Sequence, residues 1–499
     1  MAVAFAIFIR CWHLGSKSVW FDEGYTAWLV SHSPAEIIRL IRADTAPPLY
    51  YLVLHGWITL FGRSEVALRS LSTVFSIFTL FLAVDIARRM LPNPAAVAAA
   101  VCAMSLSFMQ LWYAQEARGY AMMAFLAIAA FDCLQRHLAA RSRRRLMILP
   151  ILFAAAMYTH NMMAPYVAAI LMAWLVLPSE HSFRRRIGEM TAVTAVAGFL
   201  YLPWAVWGLP DQFEMIGHSF WALPLKRRHF FTAVAALAGV KHYWSAAHVF
   251  QQIHAPIFDG KRPMLMALVL MTVSAIVSIL FQGSQKRREA IGLLLVASFS
   301  PFFVTLYSLL HTPIFMDKLF LPSATLLPIF VLLPLAMPLA PMARRLAWAG
   351  AALLLLLSAA TLYGFHEEDN KEQWRDVAAT IARWPPAHRL FVFVANDGQL
   401  PFDYYYHYRP GDEATGVPGG FFDLNPPRTM RRVFNPSGVR SFESRLDTEH
   451  YDQIVLLLSH QFWGDPNHLT QKLIEARFPL EGHREFYDVT IQWYQANQR

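Results

Sequence analysis

The chain has 499 residues, of which 56% are hydrophobic and 15% charged, and its mean hydropathy is +0.34. Soluble domains carry about 25% charged residues, so a soluble protein is excluded and a polytopic α-helical membrane protein is indicated. The formal charge of +9 does not mark a nucleic-acid partner, because Arg and Lys stand in short clusters between apolar runs, as in cytoplasmic loops.

About 20 apolar residues make a spanning helix. Eleven runs are read as spans: 1–14, 66–87, 95–112, 120–138, 146–159, 162–178, 190–208, 263–282, 290–310, 319–338 and 346–364. The first is too short to cross a core of about 30 Å as a straight helix, so either the chain starts upstream or this helix ends early. Basic clusters follow every second span: Arg88-Arg89, Arg141 to Arg145, Arg184 to Arg186, Lys286 to Arg288 and Arg344-Arg345. All five therefore share one side, which the positive-inside rule makes the cytoplasm. The segments 15–65, 113–119, 160–161, 209–262, 311–318 and everything after 364 then lie outside. Ten of the 15 acids before residue 365 fall on that outer side.

Composition changes at residue 365, dividing the chain into a transmembrane domain, 1–364, and an extracytoplasmic α/β domain, 365–499. The terminal domain holds the other 19 acids. Helices are expected at 373–384 and 469–477, and strands at 390–395, 453–459 and 489–494, an alternation typical of an α/β layer. The stretch between them, with Pro418, Gly419, Gly420, Pro426 and Pro427, reads as loop. Cys11, Cys102 and Cys133 lie in or at apolar segments and indicate no disulfide framework. No cleavable signal peptide is evident, since the first apolar run leads into Arg10 without a small-residue cleavage site.

The first outer loop, 15–65, carries the densest chemistry. It opens with Trp20-Phe21-Asp22-Glu23-Gly24 and continues to Asp44-Thr45-Ala46-Pro47-Pro48-Leu49-Tyr50-Tyr51. A short helix is expected from Pro34 to Ile41, with Ile37, Ile38 and Ile41 on one face and Arg39 and Arg42 beside them, lying in the membrane interface. Carboxylates at a membrane boundary cost free energy unless they are paired, hydrated or functional. A desolvated Asp can serve as general base; equally, an Asp-Glu pair can be two solvated loop acids. Glu116 and Arg118 lie in the short turn before Tyr120. They serve either as a structural ion pair or as a site for a ligand phosphate, which the Arg fork suits. His160, in a tight outer turn, is either a satisfied turn histidine or a substrate contact. Lys318 either snorkels to the interface or meets a lipid phosphate.

Together these motifs resemble the GT-C superfamily of integral-membrane glycosyltransferases. The resemblance rests on Asp22-Glu23 after an aromatic pair, Asp44 before Pro-Pro-Leu-Tyr-Tyr, and Gln-Glu-Ala-Arg-Gly-Tyr at 115–120. The nearest group is the bacterial protein O-mannosyltransferase-like family, with the lipid A aminoarabinose transferases and the lipopolysaccharide galacturonic acid transferases. It spans about residues 10–340. It implies a multi-pass protein of the bacterial plasma (inner) membrane, with the terminal domain on the periplasmic or extracellular side. It further implies inverting transfer of a sugar from a polyprenyl phosphate, such as undecaprenyl phosphate, to a glycan, lipid or protein acceptor. By the resemblance Asp22 is the general base, and Glu23 and Asp44 orient Asp22, the acceptor or a cation. Glu116, Arg118, Tyr120 and Lys318 organise the donor phosphate; His160 matches a Tyr-Thr-His turn common in the group without a role fixed by it, and Tyr50 and His160 are candidate substrate contacts. Where the family has Arg before an aromatic, this chain has Lys318-Leu319-Phe320. No cofactor is required. A divalent cation is optional, and Asp22, Glu23 and Asp44 are the oxygen ligands that could hold one. The terminal domain, opening Asn370-Lys371-Glu372-Gln373-Trp374-Arg375, is expected to contact the acceptor or cover the site.

Three other readings stand beside this one. A transporter or flippase of lipid-linked glycans would place charges near the membrane midplane, and paired repeats or broken helices are its usual signs; neither is evident here. A receptor-like or scaffolding protein would tolerate change at Asp22 and Glu23. A polymerase or ligase using a diphosphate-linked donor would differ in donor and pocket size.

Overall fold

The computed structural model describes residues 1–219 (all but 92), 282–336, 371–417 and 436–496, with scattered positions between. Among them, five helices are long and apolar enough to cross a membrane: Glu65–Met90, Tyr120–Ala139, Phe183–Trp207, Ser284–Leu310 and Asp317–Leu335. The first has 26 residues, about 39 Å at 1.5 Å per residue. Phe81, Phe199, Leu202, Phe302 and Leu309 project from these helices, an apolar exterior suited to lipid.

The count differs from the eleven expected spans for identifiable reasons. The run at 95–112 is not one helix. Ser107 adopts an extended conformation, and its hydroxyl accepts from Gln110 N–H to cap a second helix. Pro94–Leu106 and Phe108–Ala114 consequently meet at 58°. Ala2–Cys11 and Met163–Val176 are apolar but short. Arg143–Thr159 begins with three arginines. The expected span at 263–282 is described only at 269, 272–273, 275–276, 279–280 and 282, and the one at 346–364 only at 347–352, 355–356 and 358–359.

The helices alternate in direction, and this separates two ends. Arg89 and Arg136 pair with Asp85 and Asp132 at the close of two long helices, where cations also suit the helix dipole. Arg145 donates to the carbonyls of Arg136 and Ala140. Arg288 donates to Val176 O at 2.6 Å. Arg89, Arg136, Arg145 and Arg288 thus gather at one end, and the carboxylates of the first loop stand at the other.

The terminal domain is a five-stranded sheet flanked by helices on both faces. Its strands are β1 (Arg389–Val394), β2 (Asp412–Gly416), β3 (Gln453–Leu458), β4 (Leu480–Phe486) and β5 (Val489–Gln495), in the order β2-β1-β3-β5-β4. β1 runs parallel to β2 and β3, and β5 is antiparallel to β3 and β4. Alternation along β1 divides its side chains. Phe391 and Phe393 pack with helices Trp374–Ile381 and Gln399–Tyr405. Leu390, Val392 and Val394 pack with Phe442, Leu446 and Ile474 on the other face. The expected elements at 390–395, 453–459, 469–477 and 489–494 are found within one or two residues of their places, and the helix expected at 373–384 ends earlier, at Ile381. β2 and β4, and helices Gln399–Tyr405 and Pro436–Thr448, are additions to the sequence reading. β2 (DEATG) and β4 (LEGHREF) are polar, partly exposed edge strands without the apolar signal that marks a buried strand.

This domain docks on the first loop. Asp22 and Glu23 lie on helix Phe21–Val30, which packs against helix Gln399–Tyr405. A Cβ on Gly24 would stand 2.7 Å from Pro401 N and 2.8 Å from Pro401 Cα. Tyr405 Oη accepts from Val19 N–H at 2.7 Å and donates to Glu65 at 2.9 Å. Arg375 reaches Glu65 at 2.8 Å and the carbonyls of Gly15 and Ser16. The helix expected near Pro34 runs Pro34–Leu40, closed by a capping box between Ser33 and Glu36; Ile37 and Ile41 are buried. Because the obstruction at Gly24 is backbone, Gly24→Ala should force the two helices apart, at a cost of about 1–3 kcal/mol. Limited proteolysis should release the terminal domain faster from this variant than from wild type; equal rates would show that the approach is not tight.

Candidate active site

Successive residues on a helix point about 100° apart, and Asp22 and Glu23 accordingly meet different partners. Glu372 of the terminal domain accepts the Phe21 N–H at 3.2 Å, placing a carboxylate at the positive end of the helix that carries both acids.

Glu23 is fully buried. Arg69 grips it with two bonds, Nε to Oε1 at 2.8 Å and Nη2 to Oε2 at 2.6 Å. Lys371 Nζ adds a contact to Oε2 at 3.2 Å, and Ala117 N–H donates to Oε1 at 3.0 Å. Burial opposes the charge, but Arg69, Lys371 and these bonds prevail and hold the carboxyl at about 2. The remaining Arg69 donors go to the carbonyls of Leu14, Lys17 and Ser18. Glu23 is therefore anchored on every side by protein, and it ties together the first loop, the second loop and the terminal domain.

Asp22 stands between two cations. Arg118 Nη2 is 3.8 Å from Oδ1, and Lys318 Nζ is 3.7 Å from Oδ2. Both distances exceed hydrogen-bonding range. Arg118 also donates to Tyr51 Oη at 3.1 Å. The Arg118 carbonyl receives the Ser72 hydroxyl at 3.2 Å, and Tyr50 Oη meets Ser72 Oγ at 2.9 Å. Tyr50 is thus buried behind the arginine and fixes its backbone. Tyr120 packs its ring 5.3 Å from Lys318 Nζ and 5.9 Å from the His160 ring. Burial, then Lys318 and Arg118, depress His160 to about 3, so it is neutral and its Nδ1 accepts the Met162 N–H. Asp44 is buried nearby and accepts from Thr45 N–H at 2.7 Å.

Glu116 is 1% exposed, and its Oε2 has no hydrogen-bond partner among the described residues. Burial, reinforced by Asp22 and Glu23 against Lys371 and Lys318, pushes it up to about 7. Burial likewise lowers Lys371 to about 8. Seven of the expected residues, Asp22, Glu116, Arg118, Tyr120, Lys318, Tyr50 and His160, are thus grouped around one polar centre. Asp22, Glu23 and Asp44 are not brought together as metal ligands, since Glu23 is committed to Arg69, Lys371 and Ala117 and two cations flank Asp22.

Other contributors escaped the sequence reading. Arg69 is one; a lone arginine in an apolar helix is itself a signal. Lys371 is another. The terminal domain adds Glu372, Asp397, His460 and Asp488. Asp397 and His460 follow the carboxyl ends of the adjacent parallel strands β1 and β3, the edge where open α/β sheets place ligands. His460 Nε2 lies 3.1 Å from Glu372, and the His460 ring meets Phe21 edge-on at 5.9 Å. Burial raises Glu372 to about 7 and Asp488 to about 6.

Residues 45–207 match the family model described as dolichyl-phosphate-mannose-protein mannosyltransferase. No curated protein matches the chain. Among solved structures, the apo state of ArnT from Cupriavidus metallidurans superposes with a TM-score of 0.63 at 13% identity, covering 99% of this chain and 97% of that one. The same protein bound to undecaprenyl phosphate gives 0.59 at 13% identity and the same coverage. The Archaeoglobus fulgidus oligosaccharyltransferase, tethered with an acceptor peptide, gives 0.55 at 12% identity, covering 100% of this chain and 73% of that one. The chain shares the fold of these solved structures over its whole length, and the partial family-model match agrees with the resemblance drawn from the motifs.

The buried carboxyl of Glu116 has a pH consequence. Its folded value, about 7, lies above the ordinary 4.5. Its contribution to stability is therefore full below about 4.5 and lost as pH rises through about 7. Glu116→Gln should abolish that loss, a gain on the order of 1–3 kcal/mol at pH 8. Thermal unfolding from pH 5 to 8 should fall less steeply in the variant. An unchanged slope would show that Glu116 is solvated.

Proposed function

We propose that this protein is a membrane glycosyltransferase that moves a sugar from a polyprenyl phosphate to an acceptor hydroxyl or amine on the outer face of the bacterial plasma membrane. The observation that carries the reading is Asp22 held between Arg118 and Lys318 at 3.8 and 3.7 Å. One carboxylate and two cations, none in hydrogen-bonding contact with the other kind across these pairs, form a set that an anion can enter. Related support comes from the fold shared with a protein that binds undecaprenyl phosphate and from the match to a mannosyltransferase family model.

The chemistry follows from the charges. The donor phosphate sits against Arg118 and Lys318. Asp22 takes the proton of the acceptor, whose oxygen or nitrogen attacks the anomeric carbon from the face opposite the phosphate. The bond from that carbon to the phosphate oxygen breaks, and its electron pair leaves with the lipid phosphate. The added negative charge develops beside two fixed cations in a dry setting, where such stabilisation is strongest. Tyr51 holds the arginine fork, and Tyr120 borders Lys318. Glu23 positions Asp22 through the helix they share. The terminal domain covers the site from the side of Glu372 and His460.

Asp22→Asn should keep the fold and lower kcat by about 10²–10⁴. Arg118→Ala and Lys318→Ala should chiefly weaken donor use, each by about 1.5–3 kcal/mol, read as a rise in the KM for the lipid donor. Wild-type turnover in Asp22→Asn would rule out the base assignment.

A further inference from the structure

Helix Tyr120–Ala139 leaves the active site at Tyr120 and carries His137 to the arginine-rich end, roughly 25 Å away along its axis. There His137 Nε2 and His181 Nδ1 both lie 3.2 Å from one oxygen, Glu189 Oε2. The three ligand atoms fall within 4.8 Å of one another. Their side chains are 1%, 8% and 10% exposed. Three separate pieces of chain supply them: the last turn of one spanning helix, the connection after Met163–Val176, and the start of helix Phe183–Trp207.

The surrounding bonds orient the group. His137 Nδ1 is 3.1 Å from the Ser142 carbonyl, and the Ser142 N–H lies at 3.4 Å from the same nitrogen. The nearer partner is a pure acceptor, so a neutral imidazole keeps its proton on Nδ1 and turns the Nε2 lone pair toward Glu189. Arg185 Nε donates to the other carboxylate oxygen, Oε1, at 2.9 Å, which leaves Oε2 to face both rings. The His181 N–H donates to Ser179 Oγ at 3.1 Å and sets that loop. Lone pairs of a neutral imidazole and a carboxylate repel at this range unless positive charge stands between them. Ligands about 2.0–2.1 Å from a tetrahedral zinc ion stand about 3.3 Å apart, close to the two spacings of 3.2 Å.

We propose that His137, His181 and Glu189 bind a divalent transition-metal ion of the zinc class, with a fourth position left to water. Two imidazole nitrogens and one carboxylate oxygen are a donor set zinc accepts. The ion clamps the two spanning helices and the connection after Met163–Val176 at the end remote from the active site. The competing occupant of the same geometry is protons, with one or both histidines charged against Glu189.

The test uses full-length protein purified in detergent without a histidine tag, stripped with chelator and then given Zn²⁺ or Co²⁺ alone. Elemental analysis should find one tightly held Zn²⁺ per chain, and Co²⁺ should give the intense d–d absorption of a four-coordinate site. His181→Ala should weaken Zn²⁺ binding at least tenfold while eluting as wild type does in size exclusion. Equal metal binding by wild type and His181→Ala, or no metal in either, would overturn the site. If His181→Ala does not fold, the wild-type Co²⁺ spectrum decides, and one resembling the hexaaqua ion would overturn it equally.

Discussion

The buried ion pair between Glu23 and Arg69 is the contact on which the rest of the site depends. Neither group could sit alone in this interior, since removing one partner of such a pair typically costs about 3–5 kcal/mol. The pair is satisfied only because every remaining donor and acceptor is used. Arg69 gathers the carbonyls of Leu14, Lys17 and Ser18, so the start of the first loop must pass over it. Glu23 takes the Ala117 N–H, which sets the second loop one residue before Arg118. Lys371 completes the anchor and brings in the terminal domain. Three distant parts of the chain thus converge on one carboxylate, and its neighbour Asp22 is delivered to the cations as a result.

A division of labour between two adjacent acids follows. Glu23 is held ionised near 2 and is consumed by structure. Asp22 is left against cations at distances that a ligand can shorten or replace. Glu116 is the third acid, held near 7, so its protonation is sensitive to any charge brought beside it. The cluster of Glu372, Asp397, Asp488 and His460 extends this polar region into the terminal domain. Glu23, Glu116 and Glu372 are buried and Asp22, Asp397 and Asp488 are partly buried, which agrees with a centre of restricted water access, where fixed charges act at greater strength than in solution.

How much of this could be read from the residues differed from element to element. The helical membrane class followed from composition, and the relative parity of the arginine clusters agrees with where the helices bring Arg89, Arg136, Arg145 and Arg288. Asp22, Glu116, Arg118, Tyr120 and Lys318 stand out in the sequence as candidates because their motifs are local and unusual at a membrane boundary, and the structure brings them together. Partnership was not readable. The resemblance distinguishes Asp22 from Glu23, but their partners are set by the 100° turn between them and by an arginine 46 residues away. The break at Ser107 was hidden in an apolar run of helix formers, where one side-chain cap decides the bend. The polar strands β2 and β4 gave no apolar signal because they lie at the sheet's edges.

The measurement that tests the central claim most directly is the fate of the carrier. Purified protein would be given a panel of undecaprenyl-phosphate sugars, a diphosphate-linked sugar and a crude envelope acceptor, and the released lipid would be quantified with the glycosylated product. The account predicts that free undecaprenyl phosphate appears one-for-one with product from a monophosphate donor. Product formed only from the diphosphate-linked donor, or movement of donor across a vesicle membrane with the sugar–phosphate bond intact, would contradict it.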